Sequence, residues 1–164
     1  MKNSELLLLL LSGVVFSSFF WKNTDFLPVN DDKKAVEEAV KQFYVALNAM
    51  FEGDVEPMKS VWSHADDVTY MGPAGGLRVG WDEVLADWEA QAALKLGGKI
   101  EPLDLHIMMG PKIAVVINEE KGENVGADGK PLSVSIRATH VFRKEKGQWK
   151  MIGDHTDLLP FLQE

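Results

Sequence analysis

Three side chains in the last quarter of the chain could transfer protons: His140, Asp154 and His155. An imidazole titrates near neutral pH, so it can act as a general base or bond a ligand. Asp154 is the only acid expected near His140, because the segment around His140 carries no carboxylate of its own. For His155 the alternative is a structural histidine, satisfied by the backbone or by a neighbouring subunit. The sequence therefore offers acid–base chemistry through these residues and leaves the role of His155 open.

A second group of residues could line a pocket for a small molecule. The chain has two tyrosines, and each could hold its hydroxyl at the mouth of a pocket or be half-buried in the core. Arg137 could bind a carboxylate through two hydrogen bonds, or pair with a surface acid instead. Tryptophan rings would suit a hydrophobic ligand, although packing alone also explains them. The residues predicted to contact a ligand are Tyr44, Trp62, Tyr70, Trp88, Arg137, Thr139 and Thr156.

Composition excludes several other kinds of chemistry. The chain has no cysteine, which rules out thiol nucleophiles, thiolate metal clusters, disulfides and a lipid anchor. His64 lies close to Asp66 and Asp67 in the sequence, but this group does not supply three convergent metal ligands. Glycine-rich phosphate-binding motifs are absent, so we expect neither a metal nor a cofactor. A net charge of −8 gives no basic excess for phosphates, and no nucleic-acid partner is expected.

The chain divides into an apolar start and one acidic domain. Leu6 to Trp21 carries no charge, a length typical of the hydrophobic region of a signal peptide and short for a membrane-spanning helix. We predict that residues 1–27 are a signal peptide or an uncleaved N-terminal anchor, and that residues 28–164 form the domain. The protein would then be exported, periplasmic or secreted, or tethered to the membrane through this segment.

Helical patterns precede strand patterns along the domain. Apolar residues recur at intervals of three and four after Asp31 and Asp32, a short helix follows Asp54, and a third begins near Asp82 as its N-cap. Long alternating segments then predict antiparallel strands, which indicates an α+β fold with a curved sheet against helices. The last hairpin turns near Lys146. Its register decides whether Thr139 or His140 faces the interior, and the sequence leaves that open.

Residues 32–158 resemble the nuclear transport factor 2-like superfamily, in particular its SnoaL-like and ketosteroid-isomerase-like bacterial branch. The resemblance implies a cone-shaped α+β barrel, with three N-terminal helices packed on a curved antiparallel sheet. The matching segments are Phe43-Tyr44, Val61-Trp62-Ser63, Gly80-Trp81-Asp82-Glu83-Val84 with Trp88, Arg137 to Arg143, Gly147 to Ile152, and Asp154-His155-Thr156.

The same resemblance also implies roles for particular residues. In ketosteroid isomerases a tyrosine of the first helix shares the oxyanion hole, which would fall on Tyr44. Their catalytic base would correspond to Asp66 or Asp67. The strand acid that assists the isomerases has no counterpart around Thr139 and His140.

Two functions therefore remain open. In the first, the cone binds a small hydrophobic or carboxylate-bearing molecule without turnover. In the second, the domain is a cofactor-independent isomerase, dehydratase or cyclase that acts on a hydrophobic carbonyl compound through His and Asp. Under either function we predict a homodimer, because the outer face of the sheet carries apolar residues.

Overall fold

A computed structural model describes residues 29–126 and 128–157. The predicted export segment, residues 1–27, lies outside these residues. Within them, no helix is long and apolar enough to cross a membrane.

Three helices form one side of the domain: α1 (Val29–Phe51), α2 (Glu56–Val61) and α3 (Trp81–Leu94). The three-and-four spacing on α1 gives it one apolar face, and that face is buried. At α3 the predicted N-cap, Asp82, is wrong. Gly80 is the N-cap at φ 86, and Asp82 lies in the first turn. Glu83 accepts a hydrogen bond from the Val79 amide at 3.0 Å, which holds the chain entering the helix.

In the part of the chain that the structure describes, six strands form a single sheet in the order β2-β1-β6-β5-β4-β3. The strands are β1 (Thr69–Met71), β2 (Arg78–Val79), β3 (Lys99–Met109), β4 (Ile113–Val125), β5 (Pro131–Glu145) and β6 (Gln148–Asp157). All neighbouring pairs are antiparallel except β1 and β6, which are parallel. The α+β class is confirmed. The expected sequence of three helices before the sheet is corrected, because β1 and β2 lie between α2 and α3.

The last hairpin has a two-residue turn. Lys146 and Gly147 both have positive φ, 49° and 84°, as a type I′ turn requires, and Lys144 pairs with Trp149. With a bulge after Val141, this register pairs His140 with Asp154. His140 therefore faces the helices and is fully buried, whereas Thr139, its neighbour on β5, faces the other side of the sheet.

The core lies between the helices and the inner face of the sheet. Trp88 is central to it and contacts the rings of Phe43, Trp62 and Tyr70 at centroid distances of 6.4, 6.3 and 4.6 Å. These aromatic rings fill the narrow part of the fold. The space beside them, toward the long strands, remains open as a cavity.

Candidate active site

A cavity of about 470 Å³ opens between α1, α3 and the inner face of the sheet. Its wall is mostly apolar, with Phe43, Leu47 and Trp88 on the helix side. The turn after β1 contributes Pro73 and Ala74 to the rim. The polar residues that reach the cavity are Tyr70, Gln91, Glu120, Asn124, Ser133, Asp154 and Thr156. An apolar pocket with a few polar groups is the usual form of a small-molecule site.

Four side chains at the inner end of this cavity form a continuous hydrogen-bonded chain. Asp154 Oδ1 is 2.9 Å from His140 Nδ1, and His140 Nε2 is 3.0 Å from the Tyr44 hydroxyl. The same hydroxyl is 3.0 Å from Glu120 Oε1. All four residues are at most 5% exposed. Both ends of this hydrogen-bonded chain, Asp154 and Glu120, line the cavity.

Regular alternation along the strands brings these groups together. On β4 every second residue from Ala114 faces inward, which places Asn118 and Glu120 on the interior. His140 lies opposite Val116 of β4 and opposite Asp154 of β6. Tyr44 reaches the chain from the last turns of α1. The site is therefore assembled from α1 and three adjacent strands.

Burial shifts the pKa values of the side chains in this hydrogen-bonded chain. It raises the pKa of Glu120 to about 7, and the negative charge of Asp154 adds to the increase, although His140 and Tyr44 act against it. Burial lowers the pKa of His140, but the Asp154 and Glu120 carboxylates outweigh this effect and leave that pKa raised. Burial and the charge of Glu120 raise the pKa of Tyr44, so its hydroxyl keeps its proton.

A second polar group fixes the other tyrosine at the cavity. Tyr70 accepts a hydrogen bond from Gln91 Nε2 at 2.9 Å, and Gln91 also donates to Asp87 at 2.8 Å. Arg78 pairs with Asp87 at 3.0 Å. The Tyr70 hydroxyl is thus held by Gln91, while burial and the charge of Asp154 raise its pKa.

The structure separates the predicted catalytic residues. It brings His140 and Asp154 together, whereas His155 is exposed on the opposite side of β6. Asp66 and Asp67 are also exposed, and Asp67 pairs with Arg143 at 2.6 Å.

The predicted ligand contacts are likewise divided. Tyr70, Trp88 and Thr156 line the cavity, and Tyr44 lies behind Glu120. Trp62 is buried in the core among aromatic rings. Thr139 lies on the outer face, and Arg137 makes the alternative surface ion pair, with Asp157 at 2.9 Å.

Sequence reasoning missed Glu120 and Asn118. An apolar run covers Ile113 to Ile117, and both residues come after it. The inward-facing positions of β4 continue past Ile117 to Asn124 in the structure, but residues 118–124 read NEEKGEN and carry no apolar alternation. The sequence therefore has no signal that marks Glu120 as buried.

A family model of the SnoaL-like domain matches residues 36–156, which is most of the chain. The chain belongs to the SnoaL-like domain family. Its fold is similar to that of solved nuclear transport factor 2-like proteins. Among curated proteins, no match was found.

Solved structures share this SnoaL-like fold. A proposed dehydratase of the NTF2-like family from Streptomyces avermitilis is 24% identical, with a TM-score of 0.72 over 80% of this chain and 98% of that one. A proposed ketosteroid isomerase from Shewanella frigidimarina is 22% identical, with a TM-score of 0.61 over 75% of this chain and 94% of that one. A proposed calcium/calmodulin-dependent protein kinase type II association domain from Thiobacillus denitrificans is 25% identical, with a TM-score of 0.64 over 75% and 94%.

Proposed function

We propose that this SnoaL-like domain binds an uncharged, largely apolar small molecule and acts on it by acid–base catalysis. The observation that carries the proposal is the convergence of Glu120 and Asp154, both 3% exposed, on one apolar cavity. Burying two carboxylates beside an apolar cavity costs stability. A cavity used only to bind an apolar molecule would not need these two side chains. The described part of the wall includes no lysine or arginine, so an anionic ligand would lack a counter-charge.

Two carboxylates in one cavity support isomerisation or dehydration. Asp154 accepts a hydrogen bond from His140 and suits the role of a base that removes a proton from carbon. Glu120, with its pKa raised to about 7, suits the role of an acid that delivers a proton to carbon or to a departing oxygen. A carbonyl next to the C–H bond would make that proton acidic enough to remove.

The binding step can be tested on purified protein. Native mass spectrometry should find a small molecule carried through purification, or a panel of neutral cyclic ketones and hydroxy-ketones should raise the melting temperature. Glu120→Gln and Asp154→Asn should each abolish turnover of the compound that binds and leave the fold intact. His155→Gln, an exposed change one residue away, is the matched control and should keep full activity.

Each result has a distinct meaning. Full turnover in both carboxylate variants would refute the acid–base proposal. If compounds bind in the cavity and none is converted, the function would be binding alone. The apolar wall is sufficient for that function. If only anionic compounds displace the ligand, the proposal that the ligand is uncharged would be refuted.

We also propose that two copies associate through the outer face of the sheet. Met108 of β3, Val115 of β4 and Val141 of β5 lie side by side on this face, and Met108 is 43% exposed. Ile117, on the same face, is 42% exposed. Light scattering should show a dimer at micromolar concentration, and Ile117→Glu should give a monomer. A monomeric wild-type protein would overturn this proposal.

Export through residues 1–27 is a separate proposal, supported by the uncharged run from Leu6 to Trp21. Fractionation of the source cells should find the protein outside the cytoplasm. Intact mass would show whether the segment has been removed. Recovery of the full-length protein from the cytoplasm alone would contradict export.

A further inference from the structure

The hydroxyl of Tyr70 has a hydrogen that no described residue accepts. Gln91 Nε2 is 2.8 Å from Asp87 Oδ2 and 2.9 Å from the Tyr70 hydroxyl. The Asp87 carboxylate, which pairs with Arg78 at 3.0 Å, can only accept, so the atom of Gln91 that faces it must be the amide nitrogen. The same nitrogen donates to Tyr70, which is therefore the acceptor in that contact. In the described part of the chain the Tyr70 hydroxyl makes no other hydrogen bond, so its own hydrogen is unpaired there.

This hydroxyl lies near the rim of the cavity. Tyr70 is buried, and both Tyr70 and Gln91 line the cavity. A Cβ on Gly72 would overlap the hydroxyl, which therefore lies against the turn that forms part of the rim. Burial and the charge of Asp154 raise the pKa of Tyr70, so the hydroxyl keeps its hydrogen and stays a donor. An unpaired donor is thus present in the wall of a mostly apolar pocket.

Strand register places this donor beside the proposed base. Tyr70 of β1 lies opposite Asp154 of β6, and Asp154 lies opposite His140 of β5. Residues in register on adjacent strands point to the same face of a sheet, so their side chains are neighbours. His140 Nδ1 is 2.9 Å from Asp154 Oδ1, which leaves Asp154 Oδ2 for a substrate proton. A donor for an oxygen and an acceptor for a proton are therefore adjacent on one wall.

The hydroxyl of the other tyrosine is already in use. Tyr44 donates to Glu120 Oε1 at 3.0 Å and accepts from the Asn118 amide at 2.7 Å. Its hydrogen is therefore engaged within the protein, and Tyr44 lies behind Glu120. Of the two tyrosines, Tyr70 is the one with a hydrogen to offer a ligand.

We propose that Tyr70 donates a hydrogen bond to the carbonyl oxygen of the substrate, and that Gln91 is a positioning residue that keeps the Tyr70 hydrogen free for the cavity. The inference rests on the proposed acid–base function. It assigns the substrate to carbonyl compounds that carry a C–H bond next to the carbonyl.

The donor stabilises the charge that forms when the substrate loses its proton. Asp154 takes the proton from the carbon next to the carbonyl. The electron pair of that C–H bond becomes a C=C bond, and the π pair of the carbonyl moves to oxygen. Tyr70 keeps its own proton and donates a hydrogen bond to this negative oxygen. Because hydrogen bonds to charged oxygens are stronger than those to neutral ones, the contact strengthens as the charge develops.

A matched pair of neutral probes tests the assignment without the natural substrate. The first probe is α-tetralone, a bicyclic ketone, and the second is tetralin, the same ring system without the oxygen. Binding is measured at about pH 9, where the Glu120 carboxyl, with a pKa of about 7, is ionised and cannot donate. Tyr70→Phe should weaken the binding of α-tetralone about 3- to 10-fold, the effect of one lost hydrogen bond, and leave that of tetralin within about twofold.

Two changes at Gln91 separate positioning from a merely structural role. In Gln91→Glu the new carboxylate accepts the Tyr70 hydrogen, so α-tetralone should bind as weakly as it does to Tyr70→Phe. In Gln91→Met a side chain of similar length leaves the hydroxyl free, and α-tetralone should keep its affinity within about twofold. The infrared carbonyl stretch of bound α-tetralone should lie at higher frequency in Gln91→Glu than in the wild type or in Gln91→Met.

Thr156→Val is the matched control, because it removes a different buried hydroxyl from a residue of the cavity wall. It should leave the affinity for α-tetralone unchanged. An equal loss for both probes in Tyr70→Phe would overturn the assignment, and so would a loss confined to Thr156→Val. If the Tyr70→Phe protein does not fold, equal affinities of Gln91→Glu and Gln91→Met for α-tetralone would overturn it.

The assignment and the proposed catalysis can fail separately. If Tyr70 binds the ketone oxygen and no compound is converted, the donor assignment stands and the catalysis fails. If a ketone is converted by the wild type and Tyr70→Phe binds and converts it equally well, the catalysis stands and the donor assignment fails. If the wild type binds neither probe, both fail.

Discussion

Replacing Glu120 with glutamine should remove much of the pH dependence of folding stability. The pKa of the Glu120 carboxyl is about 7 in the folded protein, against 4.5 for a free side chain. Between these values the folded state binds more protons than the unfolded state, so the free energy of unfolding falls as pH rises. Integrated from about pH 5 to about pH 8, this difference is worth about 2–3 kcal/mol. Glu120 is 3% exposed, so solvent screening does not reduce the effect much.

The assay is urea unfolding at several values of pH across that window. The wild-type protein should lose stability as pH rises, and Glu120→Gln should lose about 2–3 kcal/mol less. The raised pKa of His140 gives a loss of the same sign, which becomes smaller in the variant because the Glu120 charge is one of the causes that raise that pKa. Glu119→Gln is the control on the next residue of β4, because that side chain is 48% exposed. Parallel curves for wild type and Glu120→Gln would refute an elevated pKa at Glu120.

Three further predictions concern packing, charge and the last turn. Trp88→Ala should lower the free energy of unfolding by about 3–5 kcal/mol in urea titrations, because it removes the central ring of the core; a loss under about 1 kcal/mol would contradict this. Arg137→Gln breaks an exposed ion pair and should change stability by less than about 1 kcal/mol, with the melting temperature of any ligand complex unaltered. Gly147→Ala places a Cβ at φ 84 and should lower stability by about 1 kcal/mol; an unchanged denaturation midpoint would argue against the type I′ turn.

The predictable part of the fold followed from periodicity. Apolar spacing of three and four marked α1 because one helix face packs on the sheet, and alternation marked β5 and β6 because one sheet face is buried. The length of β4 did not follow from periodicity, because the strand continues past Ile117 to Val125 through residues that are all polar apart from Gly122 and Val125. The start of α3 was misplaced for a local reason, because a glycine at positive φ can replace a side-chain cap.

The candidate site was only partly visible in the sequence. His140, Asp154 and Tyr44 stood out as titratable or aromatic residues on predicted elements. Asp154 was expected to lie near His140, but nothing in the sequence linked Tyr44 to either of them. Their contacts join residues 14 and 96 positions apart, and Glu120 lies 76 positions from Tyr44. Such pairs depend on strand register, and a shift of one residue would have turned His140 outward.

The sequence by itself determined the fold class, the acidic surface and the absence of thiol chemistry, because these depend on composition and short-range spacing. Only the tertiary structure decided that His140 faces inward, that Arg137 stays on the surface, and that Glu120 joins Asp154 in one cavity. The physical reason is that hydrogen bonds and burial are properties of side chains brought together by the sheet. Glu120 on β4 has its raised pKa first from burial and then from the charge of Asp154 on β6, a residue distant from it in the chain.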